Sequence, residues 1–232
     1  MFLGIDPLYW IMMLPVLLLS LYASFKVKSA FKKYSKYTTG AGLTGAEVAR
    51  RILQSRGLGN VNVVETRGFL SDHYDPSKKT VRLSPQVYNS SSIASIGVAA
   101  HETGHAIQHS KAYRPLMLRN AIAPTASIGS NFSWIIIIVG LVLGFLGLVK
   151  FGILLFSLVV VFQLITLPVE FNASTRAKEI LHSSGIVSSG ELEGVNQVLS
   201  AAAMTYVAAA ASAVMTLLYF LIRSGLLGGG DD

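Results

Sequence analysis

Long apolar runs alternate with polar segments along this chain. Apolar residues dominate 7–25, then 134–148 and 151–167, and an alanine-rich apolar run ends near residue 222. A helix rises 1.5 Å per residue, so runs of this length cross most or all of a bilayer core about 30 Å thick. The pattern predicts four membrane-spanning helices.

Lys150 divides the second apolar run from the third. A single helix across both runs would need more than thirty apolar residues and would leave this lysine in the middle of the bilayer, where a charge is costly. Two spans joined by a tight turn at the lysine are therefore favoured. Four glycines in these runs are candidates for close helix packing: Gly140, Gly144, Gly147 and Gly152.

The polar segment 26–131 has the cap and turn signals of a folded, water-exposed domain. Thr44 and Glu47 have the spacing of a capping box, and Gly57 can end the helix that they begin. A short helix is therefore expected at about 45–56.

Period-two alternation follows this helix and predicts strands. The alternating apolar residues are Val61 and Val63, then Val81 and Leu83. Asp75-Pro76, between the two pairs, is a strong turn signal. We expect a small sheet or a hairpin.

A segment of small and apolar residues after Ser90-Ser91-Ser92 predicts a further helix, because serines are good N-caps. Pro115 and Pro124 are expected to bound the residues that follow it. The helix contains His101, Glu102 and His105 in the pattern H-E-x-x-H. Side chains four apart lie on one face of a helix, so the two imidazoles can bind one zinc ion and the glutamate can act as a general base.

A second polar segment, 169–200, separates the third apolar run from the fourth. A polar helix is expected to continue to Gly185. Ser188 and Glu191 then form another capping-box pattern, which predicts the start of the helix that becomes the fourth span.

The composition supports a membrane protein. Hydrophobic residues make up 52% of the chain and charged residues only 13%, and the mean hydropathy is +0.54. A cleaved signal peptide is the competing interpretation of the first run, but Asp6 precedes the run, no lysine or arginine does, and no Ala-x-Ala site follows it. Cysteine is absent, so any metal must use histidine and carboxylate ligands.

The net charge of +7 could suggest nucleic acid, but its distribution indicates a membrane surface instead. Five lysines follow the first apolar run directly: Lys26, Lys28, Lys32, Lys33 and Lys36. Such a cluster flanks a span on the cytoplasmic side. We therefore expect a lipid bilayer and no nucleic acid as partner, with the N-terminus outside. The sequence has no signal for a particular oligomeric state.

A hydrolytic zinc site needs a third protein ligand. Metzincins supply it from the same motif, but Gln108 and Lys111 occupy the required positions here. The next acidic residue after Glu102 is Glu170, and an even number of crossings returns it to the same side of the membrane. Glu170 is the leading third ligand, and the alternative is a carboxylate at the membrane interface.

Six further polar residues are candidates for supporting the ligands or binding substrate: His109, Asp72, His73, Tyr74, His182 and Tyr206. His109 is about 12 Å from His101 along a helix axis, too far for all three histidines to bind one ion. The cluster 72–74 fits a capped loop equally well, and nothing local distinguishes His182 or Tyr206 from interface residues.

The sequence resembles a known family in four stretches, 43–53, 71–76, 98–109 and 167–174. Together these resemble the YugP-like neutral zinc metallopeptidases of bacterial membranes, over nearly the whole chain. More distantly, 170–173 is similar to the Glu-x-x-Ala-Asp motif of the HtpX-like membrane proteases, which implies Glu170 as a zinc ligand. Ser174 replaces the final aspartate, so the hydrogen bonding behind the ligands is expected to differ.

We therefore predict a mainly α membrane protein with about four transmembrane helices and a small α+β zincin-like juxtamembrane domain carrying the HExxH helix. The predicted parts are span 1 at 7–25, the cytoplasmic protease domain at 26–131, spans 2 and 3 at 132–168, a cytoplasmic segment with the third ligand at 169–200, and span 4 at 201–223.

The predicted function is a membrane-anchored zinc (Zn²⁺) endopeptidase with a polypeptide substrate, and the HtpX-like resemblance implies membrane or misfolded proteins. Glu102 would be catalytic, with His101, His105 and Glu170 binding the metal. Substrate is expected to bind as a strand along the edge of the sheet at about 61–84. The alternative is a non-catalytic zinc-binding scaffold or regulator. An intramembrane protease is disfavoured, because the motif helix is not embedded in a run of twenty apolar residues.

Overall fold

A computed structural model describes residues 6–227 as a mostly helical chain with one small sheet. In chain order the elements are α1 (Pro7–Tyr34), α2 (Gly45–Ser55), β1 (Asn62–Glu65), β2 (His73–Asp75), β3 (Thr80–Leu83), α3 (Pro85–Tyr88), α4 (Ile93–Ser110), α5 (Arg114–Val142), α6 (Leu146–Ser183) and α7 (Ser189–Arg223). They fall into two compact units. Within the described residues, the first comprises 6–22, 117–168 and 205–227, and the second comprises 23–116 and 169–204.

Four helices, α1, α5, α6 and α7, are long and apolar enough to cross a membrane. This confirms the predicted number of candidate spans. Within the most apolar window of each helix, only 11–28% of the residues are buried, so most apolar side chains there face outward. A surface of this kind is expected where lipid replaces water.

The core of the first unit lies around the buried Phe220. Trp134 packs edge-on against its ring at a centroid distance of 4.9 Å, and Ile137 and Val149 belong to the same core. Gly140 approaches the main chain of Val149 so closely that an added Cβ would lie 2.8 Å from its nitrogen. The prediction of close packing at this glycine is confirmed.

The turn between α5 and α6 lies at residues 143–145, and the prediction that it lies at Lys150 is wrong. Gly144 has φ +65°, a left-handed conformation that glycine adopts without strain. Lys150 is instead in the first part of α6, near the end of that helix. The helix ends where the glycine allows a reversal, and the lysine remains close to the terminus rather than in mid-span.

Two prolines lie inside helices, and one of them, Pro124, is expected from the sequence to bound a segment. Pro124 is within α5 and Pro168 is within α6. Proline removes one helical hydrogen bond, which long membrane helices tolerate when neighbouring groups satisfy the freed carbonyl. As a result α6 continues without a break through Glu170 to Ser183.

In the second unit, both predicted capping boxes are confirmed. Thr44 and Glu47 cap α2 reciprocally. At α7, the Ser188 N–H donates to Glu191 Oε2 at 2.7 Å, and the Glu191 N–H donates to Ser188 Oγ at 3.3 Å. Glu191 also accepts a 2.7 Å hydrogen bond from the Gly40 N–H through its Oε1 atom. This bond holds the segment after α1 against the start of α7.

The predicted sheet is present, with strand order β1-β3-β2. The two strands predicted from alternation are neighbours, but β1 pairs with β3 in parallel, so they do not form a hairpin. The hairpin joins β2 to β3 around the predicted turn at Asp75-Pro76. The period-two pattern does not predict β2, because this strand is only three residues long.

The sheet and α2 pack on α4, the most buried helix of this unit. Ser92 caps α4 as predicted, accepting a hydrogen bond from the Ser95 N–H. Buried alanines, isoleucines and glycine along α4 allow α2, the sheet and the segments 169–183 and 189–204 to pack closely around it. The histidine motif is therefore held in the centre of the unit.

Candidate metal centre

Helix α4 positions the two histidines of the motif on one face. His101 and His105 are one helical turn apart, and their rings lie 4.8 Å apart in an edge-to-face arrangement, with an interplanar angle of 88°. His105 is buried and His101 is nearly so. The predicted convergence of the two imidazoles is present.

Glu170 lies opposite both histidines. Its Oε2 atom is 3.2 Å from His101 Nε2 and 3.5 Å from His105 Nε2. The carboxylate is only 4% exposed. Among the described residues, these three side chains form a group able to bind a metal ion, with one donor atom from each lying within 4.8 Å of the others.

Gly104 allows α4 and the 169–183 part of α6 to approach at this point. A Cβ on Gly104 would lie 2.9 Å from the main-chain oxygen of Ala173 and 3.3 Å from its Cα. Such distances require the backbone to shift. The glycine between the two histidines therefore sets how closely Glu170 approaches them.

Gly104→Ala is expected to separate these helices and weaken metal binding. Overpacking of this kind costs about 1–3 kcal/mol of folding free energy. Both the zinc content after dialysis and the melting temperature should therefore be lower than in the parent protein. The control is Gly190→Ala on α7, where an added Cβ has nothing within 4 Å. If Gly104→Ala keeps full zinc content, this contact does not set the ligand spacing.

The donor set fits zinc. Two imidazole nitrogens and one carboxylate oxygen are the ligands of a hydrolytic zinc site, with bonds of about 2.0–2.2 Å. Neighbouring ligands around a tetrahedral ion with such bonds are about 3.4 Å apart. The two nitrogen–oxygen separations, 3.2 and 3.5 Å, agree with that spacing.

Both histidines have a hydrogen-bond partner at the ring nitrogen that faces away from Glu170. His101 Nδ1 lies 3.1 Å from Ser174 Oγ, and His105 Nδ1 lies 3.0 Å from Gln108 Oε1. Partners of this kind orient a metal-binding imidazole. Ser174, at the position of the aspartate in the HtpX-like motif, thus contacts His101.

Glu102 is buried beside this group but is not one of its three members. Burial raises the pKa of its carboxyl to about 7, the nearby His101 lowers it, and the Glu170 and Asp72 carboxylates add to the increase. The Tyr74 main-chain N–H also lowers it. A carboxyl with a pKa near neutrality can both accept and return a proton.

Strand β2 brings part of the predicted 72–74 cluster to α4. The Tyr74 hydroxyl lies 2.9 Å from His109 Nδ1, and its main-chain N–H is close to Glu102. Asp72 accepts bonds from the N–H and hydroxyl of Ser84, and burial raises the pKa of its carboxyl.

Three of the predicted candidates do not belong to the group of His101, His105 and Glu170. His73 is exposed, and its Nδ1 contacts the Ser71 carbonyl. His182 is exposed in the last turn of α6, about 18 Å along the helix axis from Glu170. Tyr206 lies partly buried on α7, in the first unit.

Two residues of the centre were missed by sequence reasoning, Gln108 and Asn172. Gln108 is completely buried and donates from Nε2 to Asn172 Oδ1 at 3.0 Å. A signal was available, because Gln108 is three residues after His105 and so lies on the same helix face. For the contact of Asn172 with Gln108 the sequence has no comparable local signal, since the two residues are on different helices.

The sequence profile of a family described as "Putative neutral zinc metallopeptidase" matches residues 9–225. The chain belongs to this family. It is also 52% identical over 214 residues to a Bacillus subtilis (strain 168) protein named "Putative membrane protease YugP", covering 92% of this chain and 94% of that protein. No solved structure matches the chain. The predicted family resemblance is confirmed.

Proposed function

We propose that this protein is a membrane-embedded zinc endopeptidase. The observation that carries the proposal is the convergence of His101, His105 and Glu170 beside the buried Glu102. Two neutral imidazoles and one carboxylate leave a zinc ion with net positive charge and a free position. Family membership supports the same class of activity.

When bound, zinc would polarise the scissile carbonyl and lower the pKa of a water molecule. The proton transfers depend on a residue of the protein. Glu102 accepts the proton of the attacking water on its carboxylate and returns it to the amine nitrogen that leaves. Its burial suits this task, because a carboxyl with a pKa near 7 holds the transferred proton between the two steps.

We propose that substrate adds as a strand along the outer edge of β2. This strand is at the edge of the sheet, and its Tyr74 contacts α4 at both Glu102 and His109. An unpaired strand edge binds a peptide main chain irrespective of its sequence. A structure with a peptide-like inhibitor lying away from β2 would contradict this.

An extended segment that is not held in a fold of its own can enter such an edge and reach the site, so membrane or misfolded proteins are the proposed substrates. Purified protein in detergent is expected to cleave unfolded casein and to leave a tightly folded protein of similar size intact. Removing the metal with a chelator should abolish cleavage, and zinc should restore it whereas magnesium should not. Cleavage that persists after complete zinc removal would refute the proposed function.

The proposed topology places the protease domain 26–131 and the segment 169–200 in the cytoplasm, with spans at 7–25, 132–168 and 201–223. The lysine cluster after the first span supports this orientation.

Cysteines introduced at Ser35 and Ser184, both exposed, should resist an impermeant thiol reagent in intact cells. A cysteine at Leu143, in the turn between α5 and α6, should react. All three should react after the membrane is permeabilised. Labelling of Ser35→Cys from outside would reverse the orientation.

A further inference from the structure

Gln108 is a buried amide with every hydrogen-bonding atom in use. Its Oε1 lies 3.0 Å from His105 Nδ1, and its Nε2 donates to the Val169 carbonyl at 2.8 Å and to Asn172 Oδ1 at 3.0 Å. The side chain is 0% exposed. It therefore connects the second histidine of the motif to the residues on either side of Glu170.

The orientation of this amide is determined by its partners. The Val169 carbonyl can only accept, so the NH₂ group of Gln108 must face it. The Arg176 guanidinium can only donate, and its Nε donates to Asn172 Oδ1 at 2.7 Å, so this oxygen also faces Gln108. Both partners place the amide oxygen of Gln108 toward His105.

An amide oxygen can only accept a hydrogen bond, so His105 must carry its proton on Nδ1. In the neutral ring, the Nε2 atom, which faces Glu170, then keeps its lone pair. That is the tautomer a metal-binding imidazole needs at Nε2.

The Nδ1 side of His101 has no comparable constraint. Its Nδ1 faces the Ser174 hydroxyl, which can either donate or accept. The two histidines of the motif therefore differ at Nδ1: Gln108 can only accept from His105, whereas Ser174 does not determine the Nδ1 of His101. The Glu170 carboxylate faces Nε2 of both rings.

We propose that Gln108, oriented by Val169 and by the Arg176–Asn172 pair, is a positioning residue that fixes the Nδ1–H tautomer of His105. The consequence for zinc affinity rests on the proposed function, whereas the tautomer itself does not. Residues behind metal ligands typically change affinity by about 10–100-fold. The same range is expected for the loss of Gln108.

The tautomer can be measured by ring nitrogen NMR of metal-free protein at alkaline pH. The measurement uses a Glu170→Ala background, because this carboxylate faces Nε2 and would compete for the proton. With Gln108 present, His105 should be an Nδ1–H tautomer. With Gln108→Met, which keeps the length but removes the acceptor, the Nε2–H tautomer favoured by free histidine should dominate.

Asn172 provides a second pair of variants, which remains informative if Gln108→Met does not fold. Asn172→Asp keeps an acceptor for both Gln108 and Arg176, so the parent tautomer should persist. Asn172→Leu removes that acceptor and should give a mixture, because only the Val169 carbonyl then orients the amide. Gln197→Met is the control, since Gln197 is exposed and bonds only within α7.

Zinc affinity is measured in parallel with Glu170 intact, by competition with a chelator of known affinity. We expect a loss of about 10–100-fold for Gln108→Met, a smaller loss for Asn172→Leu, and parent affinity for Asn172→Asp and Gln197→Met. An unchanged Nδ1–H tautomer in Gln108→Met, or a changed tautomer with unchanged zinc affinity, would overturn the proposal. A parent protein that binds no zinc would instead refute the proposed function, and the NMR result would still decide the tautomer.

Discussion

Glu170→Ala is expected to remove zinc from the purified protein as completely as His105→Ala does. The glutamate oxygen is within 3.5 Å of Nε2 of both histidines, and it is buried, so neither water nor another carboxylate of the site can replace it easily. Affinity should fall by more than the roughly 100-fold that marks the upper end for residues behind ligands. Metal content after dialysis measures this directly.

His109→Ala is the matched control, because His109 is on the same helix as His101 and His105 but contacts Tyr74. It should keep near-stoichiometric zinc. The reverse order, with zinc lost from His109→Ala and kept by Glu170→Ala, would make His109 the ligand and Glu170 a bystander.

Glu102→Gln is expected to keep zinc and to lose peptide hydrolysis by about 100- to 10,000-fold, the contribution of a general acid–base group. Adjacent helix positions point about 100° apart, so Glu102 cannot face the metal together with His101. The glutamine has nearly the same shape but cannot accept the proton. Zinc content and casein cleavage are measured on the same preparation.

Glu179→Gln, at an exposed position of α6, is the control for the loss of a carboxylate. It should cleave casein like the parent. A Glu102→Gln variant that is equally active would exclude the proposed mechanism. A non-catalytic scaffold predicts no hydrolysis from either protein, so the parent's activity separates the two functions.

Local patterns were sufficient to predict much of the candidate centre. The spacing of His101 and His105 needs only a helix to bring the rings together, and a helix follows from the composition of the segment. Glu170 could be predicted because the chain has so few alternatives: no cysteine, and no carboxylate between residues 102 and 170. Because so few residues could serve as the third ligand, Glu170 could be predicted although it is more than sixty residues from His105 in the sequence.

Features that depend on contacts between residues far apart in the sequence were harder to predict. The parallel pairing of β1 with β3 follows from β2 occupying the other edge, and β2 is too short to show alternation. Pro168 would normally suggest a helix end, yet α6 continues through it. The bonds from Gln108 to Val169 and Asn172 could not be predicted, because they depend on how α4 packs against another helix.

The central claim is that His101, His105 and Glu170 bind one zinc ion. The most direct test is an anomalous difference map at the zinc absorption edge, from crystals of protein purified without added metal. We predict one peak, about 2.0–2.2 Å from Nε2 of both histidines and from a Glu170 oxygen, with Glu102 outside the coordination sphere. A zinc peak bound by other residues, or no peak at this site in protein that cleaves casein, would contradict the account.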